Sequence, residues 1–193
     1  LSLHDALPIL ILLVGSNPEE AHPVIGAQIR QAIQRGTQVV VVDPRKINLV
    51  KDSALHLQVQ AGTNVAFANG MMHVILKEGL ADRHFIEERT EGFLDLEKMV
   101  ADYTPEKVAE ICHIHPEDLI QAARMYAKAE KAPIIYCLGV TEHSTGTEGV
   151  MSMSNLAMLV GKVGKPGCGV NPLRGQNNVQ GACDMGCMPY DFP

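Results

Sequence analysis

Apolar positions follow two spacings along this chain, and the way they alternate sets the expected architecture. Ile9–Gly15 (ILILLVG) and Thr37–Arg45 (TQVVVVDPR) each carry an unbroken apolar run, ended by Gly and by Asp-Pro. Such runs suit strands buried on both faces. Between them Val24, Ile25, Ile29, Ala32 and Ile33 share one helical face, up to a stop at Gly36. Strand, helix and strand without polar alternation predict a βαβ unit and a parallel sheet. Ala54–Asn64 (ALHLQVQAGTN) alternates more and reads as a third strand closing at Gly62, with a helix from Asn64 through Ile75.

The second half continues the pattern. Thr104-Pro105-Glu106 is a helix start, with Thr as N-cap and Pro at the first helical position. Another helix should run from Pro116 to about Ala129, with Glu117 and Asp118 in the first turn, where acids suit the dipole. Ala132–Val140 (APIIYCLGV) returns to strand, and 148–164 is an apolar helix. From Lys165 onward Gly, Pro and Asn dominate and no regular element is expected. The fold class is therefore α/β: a Rossmann-like αβα sandwich around a mostly parallel sheet.

Composition narrows the function classes. Of 193 residues, 46% are hydrophobic and 20% charged, as in a globular domain, and Trp is absent, so Val, Ile, Leu, Met and Ala must build the core. The net charge of -6, without a basic cluster, argues against nucleic acid or an anionic membrane as partner. No apolar run approaches the ~18 residues that span a bilayer. Of the five Cys, Cys112 and Cys137 read as reduced core residues, and Cys168, Cys183 and Cys187 lie in Gly-rich loops with no zinc spacing. The nine Met, including Met71, Met72, Met151, Met153 and Met158, read as core.

In an open parallel sheet, ligands bind outside the carboxyl ends of the strands. Those ends read Gly15-Ser16-Asn17, Asp43-Pro44-Arg45, Gly62-Thr63-Asn64 and Gly139-Val140-Thr141-Glu142, a polar rim suited to a nucleotide. Asp43 stands where dinucleotide folds place an acid for ribose hydroxyls, or else simply forms the turn before Pro. Arg45 is a phosphate or base contact, or a solvated surface Arg. Asn17 and Asn64 either read a ligand or serve as turn and cap residues. No G-x-G-x-x-G follows the first strand, which weighs against plain NAD or FAD. His143 is the His placed near this face; His22 before Pro23 reads as a loop residue, and His113 and His115 as surface positions.

The stretch RGQNNVQGACDMG, Arg174–Gly186, is the most specific cluster. Amides both donate and accept, so they suit a heterocycle with mixed edges. Glycines allow close backbone approach, and Arg pairs bidentately with a carboxylate or phosphate. The alternative is a solvent-exposed Asn/Gly loop.

Taken in order, GSNPEEAHP, VDPR, GTN, GVTEH, NLAMLVGKVGKPGCGVNP and RGQNNVQGACDMG resemble the molybdopterin oxidoreductase family, specifically the catalytic subunit of its formate dehydrogenases. The resemblance implies two molybdopterin guanine dinucleotides on one Mo or W beside a [4Fe-4S] cluster. It also implies oxidation of formate to CO2, or the reverse. It places Asn17, Glu20, Asp43, Arg45, Gly62 and Asn64 at contacts to one dinucleotide, and Leu138, Glu142 and Gln176 at further pterin contacts. Glu142 stands where some relatives carry Gln, and a carboxylate cannot donate as an amide does. Arg174 falls on the family's active-site Arg, which orients the formate carboxylate. None of the Cys here matches the family's metal ligand.

The implied organisation is a non-native segment at 1–9, a Rossmann-like dinucleotide-binding domain at 10–176, and a crossover into the next domain at 177–193. Cluster ligands and metal ligand are expected upstream and a last pterin-binding domain downstream, so the piece alone should be inactive. Implied partners are formate or CO2 and electron-transfer subunits, whether iron–sulfur, NAD-, quinone- or hydrogenase-linked, with no membrane insertion. A cytoplasmic parent is expected, or a periplasmic one if an export signal lies upstream. Two alternatives stay open: a sibling enzyme such as a nitrate reductase, and a non-catalytic nucleotide-binding or structural relative.

Overall fold

The computed structural model describes residues 8–176 and 178–187. Five strands form one all-parallel sheet in the order β3-β2-β1-β4-β5. They are β1 (Leu10–Val14), β2 (Gln38–Val42), β3 (Leu55–Leu57), β4 (Pro133–Tyr136) and β5 (Gly169–Pro172). The helices are α1 (Pro18–Ala21), α2 (Pro23–Gln34), α3 (Asn64–Lys77), α4 (Arg83–Arg89), α5 (Phe93–Val100), α6 (Pro105–Cys112), α7 (Pro116–Lys128), α8 (Leu138–Thr141), α9 (Gly146–Leu159) and α10 (Val179–Asp184). A 3-10 turn spans Asn48–Asp52.

The pleat sends alternate strand residues to opposite faces, which explains the unbroken apolar runs. Leu10, Leu12, Val14, Val40, Val42 and Ile134 enter a large core with Phe67, Met71, Met72, Leu119, Tyr126 and Leu156 from α3, α7 and α9. Ile11, Leu13, Val39, Val41 and Ile135 enter a smaller core with Ile29 of α2, Ile47, Leu49 and Leu173. β1 is buried throughout because both faces are covered.

The Thr104 cap is present: its hydroxyl accepts the Lys107 N–H at 3.4 Å. The expected α7 is also present, ending at Lys128. Several expectations are corrected. The third strand is three residues long, because beyond Leu57 the chain leaves the sheet and Gln60 N–H bonds Cys112 O at 2.8 Å instead. The fourth strand stops at Tyr136 rather than Val140, and Leu138–Thr141 turns as α8. Gly169–Pro172, read as irregular, is strand β5. It is an edge strand held by backbone pairing to β4, so its side chains need no apolar pattern. Val24 is 71% exposed, because α2 begins at a kink and turns Ile29, Ala32 and Gly26 inward. Met151 is 60% exposed, whereas Met71, Met72 and Met153 are core. No helix among the described residues is long and apolar enough to cross a membrane.

Candidate functional site

Strand order places the site. From β1 the chain moves outward to β2, whereas β4 pairs on the other side of β1. Connections therefore leave the carboxyl ends of β1 and β4 in opposite directions and open a crevice between them. The floor of the crevice is a contact between two glycines. Gly15 has φ +53, and a Cβ on it would lie 2.6 Å from the Gly139 carbonyl carbon. The Gly139 N–H donates to Gly15 O at 3.1 Å. The Gly139 carbonyl in turn accepts Asn64 Nδ2 and His143 Nε2, each at 3.0 Å. Asn64, the first residue of α3, thus braces the crevice as well as lining it.

A cleft of about 360 Å³ opens above this floor, within the roughly 300–1,000 Å³ range of small-molecule sites. Asn17, Glu20, Asp43, Arg45, Gly62, Asn64 and Leu138 all line it, so seven of the positions expected from sequence meet in one place. His143 and Ser16, both placed at this rim from sequence, line it too, with Gln60 and Cys137, which the sequence reading had not placed there. Asp43 is buried; its Oδ1 accepts the Arg45 N–H at 2.8 Å and faces Arg45 Nε at 3.7 Å, and Oδ2 takes part in neither contact. Asp43 therefore forms its turn with one oxygen and leaves the other out of both contacts. Ser16 Oγ and Asn17 Oδ1 are buried with no partner among the described residues. Orphaned buried polar atoms are costly, so this lip has hydrogen-bonding capacity to spare. Gly62, at φ +86 with open space where a Cβ would stand, keeps the opposite wall low.

A second cleft of about 140 Å³ adjoins the first and shares Cys137 and Leu138 with it. Tyr136, Thr141, Arg174, Gly175 and Gln176 line it. Burial raises the pKa of the Tyr136 hydroxyl, and the nearby positive charge of Arg174 partly offsets that rise. Arg174 is exposed and forms no ion pair with any described residue. Glu142 lies outside the lining of both clefts, exposed just beyond α8.

The amide-rich stretch divides by role. Asn178, at φ +52, caps α10, its Oδ1 accepting the Gly181 N–H at 3.3 Å. Gln180 Nε2 donates to Asp184 Oδ1 at 2.8 Å along the same helix. Those two amides build structure, Gln176 faces the cleft, and Asn177 lies outside the described residues, as do residues 1–7 and 188–193. Among the described residues no group of three or more His, Cys, Asp or Glu is arranged to hold a metal.

A parallel switch-point cleft with an orphaned polar lip defines an α/β domain with a candidate ligand site at the carboxyl ends of its strands. The sequence model of the family described as Molybdopterin oxidoreductase matches residues 8–191, and the chain belongs to that family. It is 50% identical over 183 residues to the F420-dependent formate dehydrogenase subunit alpha of Methanocaldococcus jannaschii, covering 95% of this chain and 27% of that one. It is 46% identical over 184 residues to formate dehydrogenase H of Escherichia coli, covering 95% and 26%. Among solved structures it is similar to acetylene hydratase from Pelobacter acetylenicus, with a TM-score of 0.79 and 27% identity over 83% of this chain and 22% of that one. The chain spans about a quarter of the length of these curated relatives.

Proposed function

We propose that this chain is the dinucleotide-binding middle domain of the catalytic subunit of a formate dehydrogenase. The larger cleft takes one molybdopterin guanine dinucleotide, and the smaller cleft presents Arg174 to the formate carboxylate. When bound, the pterin-held molybdenum or tungsten supplies the two-electron chemistry that interconverts formate and CO2, with electrons leaving through a [4Fe-4S] cluster toward electron-transfer subunits. The residues in hand bind and orient. Asp43 Oδ2 accepts ribose hydroxyls, Ser16 and Asn17 gain the partners they lack, and Arg45 meets phosphate or base. Gly62 admits the ligand, Leu138 walls both clefts, and Gln176 offers an amide edge to the pterin. Glu20 and Asn64 close the remaining sides of the larger cleft. Glu142 can reach the pterin only from outside both clefts.

The observation that carries this reading is the shared wall. Arg174, with no ion-pair partner among the described residues, lines a cleft that shares Cys137 and Leu138 with a second cleft whose polar lip is unsatisfied. A one-carbon carboxylate offers little to recognise except a bidentate handle, and Arg supplies the matching fork. Replacing Arg174 with Lys in the full-length enzyme keeps the charge and removes the fork. The specificity constant for formate should fall about 100-fold or more, with metal and pterin content unchanged. Wild-type formate kinetics in that variant would remove Arg174 from the mechanism.

A further inference from the structure

We propose that His22 is a positioning residue for Arg174, a strut from the wall of the larger cleft to the loop that presents the guanidinium. The inference rests on the assignment of Arg174 above and adds a residue to it. His22 Nε2 lies 2.6 Å from the Arg174 carbonyl oxygen, across 152 positions of sequence. A carbonyl only accepts, so Nε2 carries the proton and Nδ1 is left as a bare lone pair. Nδ1 is buried with no partner among the described residues. Among the described residues the ring makes one hydrogen bond, the one to Arg174.

Both ends of this strut are anchored. His22 stands at the kink between α1 and α2: its N–H donates to Pro18 O and its carbonyl accepts the Gly26 N–H, each at 2.9 Å. Gly26 is needed there, since a Cβ would lie 2.9 Å from Glu19 Cα. At the other end, the Leu173 N–H donates to Tyr136 O and Cys137 Sγ donates to Leu173 O, each at 2.8 Å. These contacts fix the backbone only as far as Leu173; His22 fixes the peptide of Arg174 itself. Glu20 and Ala21, immediately before His22, line the larger cleft. Movement of that wall is therefore carried to the loop holding Arg174. His22 touches no reacting atom and acts through Arg174 alone.

The test compares His22→Asn with His22→Gln in the full-length enzyme. Gln extends its amide nitrogen toward the position of Nε2, whereas Asn stops near that of Nδ1 and cannot reach the carbonyl. In His22→Asn, hydrogen exchange of the amides at 173–176 should quicken about tenfold, the ratio for one lost hydrogen bond, with β1 and β2 unchanged. The KM for formate should rise by a similar factor, kcat should change far less, and pterin and metal content should hold. His22→Gln should restore both exchange and KM. Wild-type exchange and KM in His22→Asn, or a Gln variant as loose as the Asn variant, would overturn the proposal. If the Asn variant does not accumulate, the Gln variant decides: a tight loop and normal KM support the strut, and a loose loop refutes it. Failure of the Arg174→Lys test would instead sink the substrate assignment and leave the exchange result standing.

Discussion

Replacing Gly15 with Ala tests whether the floor of the crevice is built on contact between two glycines. The new Cβ would lie 2.6 Å from Gly139 C and 2.8 Å from Gly139 Cα, both backbone atoms that no rotamer change can move aside. Reaching ordinary contact at 3.4 Å requires the ends of β1 and β4 to part by about 0.8 Å. At φ +53 an L side chain also carries about 1–2 kcal/mol of strain. Overpacking adds about 1–3 kcal/mol, and loss of the Gly139-to-Gly15 hydrogen bond about 1 kcal/mol. The expected destabilisation is therefore about 3–6 kcal/mol. Gly36→Ala is the control: Gly36 has φ +99 and nothing within 4 Å of its Cβ position, so only the strain of about 1–2 kcal/mol applies. Urea unfolding followed by circular dichroism reads both variants as shifts in midpoint at constant slope. Equal midpoints for the two would refute the claim that close packing of Gly15 on Gly139 shapes the floor.

Other substitutions probe separate parts of the structure. Gly62→Ala should cost only the strain of a positive φ, about 1–2 kcal/mol, yet lower the pterin content of the full-length enzyme well below that of Gly36→Ala; equal content would detach Gly62 from the site. Tyr126 is fully buried with a hydroxyl lacking a partner among the described residues, so Tyr126→Phe should be neutral or stabilising by up to about 1 kcal/mol in a urea melt. A clear loss would reveal a hydrogen bond at that hydroxyl. Arg124 grips Glu78 with three contacts of 2.7–3.0 Å, and those hydrogen bonds hold the Glu78 carboxyl below its usual range. With the folded pKa below the unfolded one, the pair stabilises at pH above the ordinary glutamate range. That stability is lost as pH falls through the lowered folded value. The stability gap between wild type and Glu78→Gln should thus be present at neutral pH and vanish in strong acid; a gap independent of pH would refute it.

Much of the site was legible because strand ends punctuate the sequence. Gly15-Ser16-Asn17 and Asp43-Pro44-Arg45 each follow an apolar run, Gly62-Thr63-Asn64 closes the more alternating third segment, and a parallel sheet brings such ends to one edge. Glu142 does not line the clefts although Thr141 and His143 on either side of it do, because β4 ends at Tyr136 and the turn that follows leaves the Glu142 position exposed. His22 looked like a loop residue because its partner is a backbone carbonyl, which has no sequence signature. Asn178 and Gln180 could not be assigned a role from sequence, because cap and helix-pair amides have the same composition as recognition amides.

By itself the sequence determined the α/β class, the parallel pairing of β1 and β2, and the polar strand ends that gather at one edge of the sheet. Apolar periodicity and turn chemistry are local properties, so they are written in neighbouring residues. Only the tertiary structure decided that β4 lies beside β1, that Gly15 and Gly139 meet, that Leu138 separates two clefts, and that His22 reaches Arg174. Those are contacts between backbone atoms or between residues more than a hundred positions apart. They follow from how the sheet is ordered and closed, which no local pattern encodes.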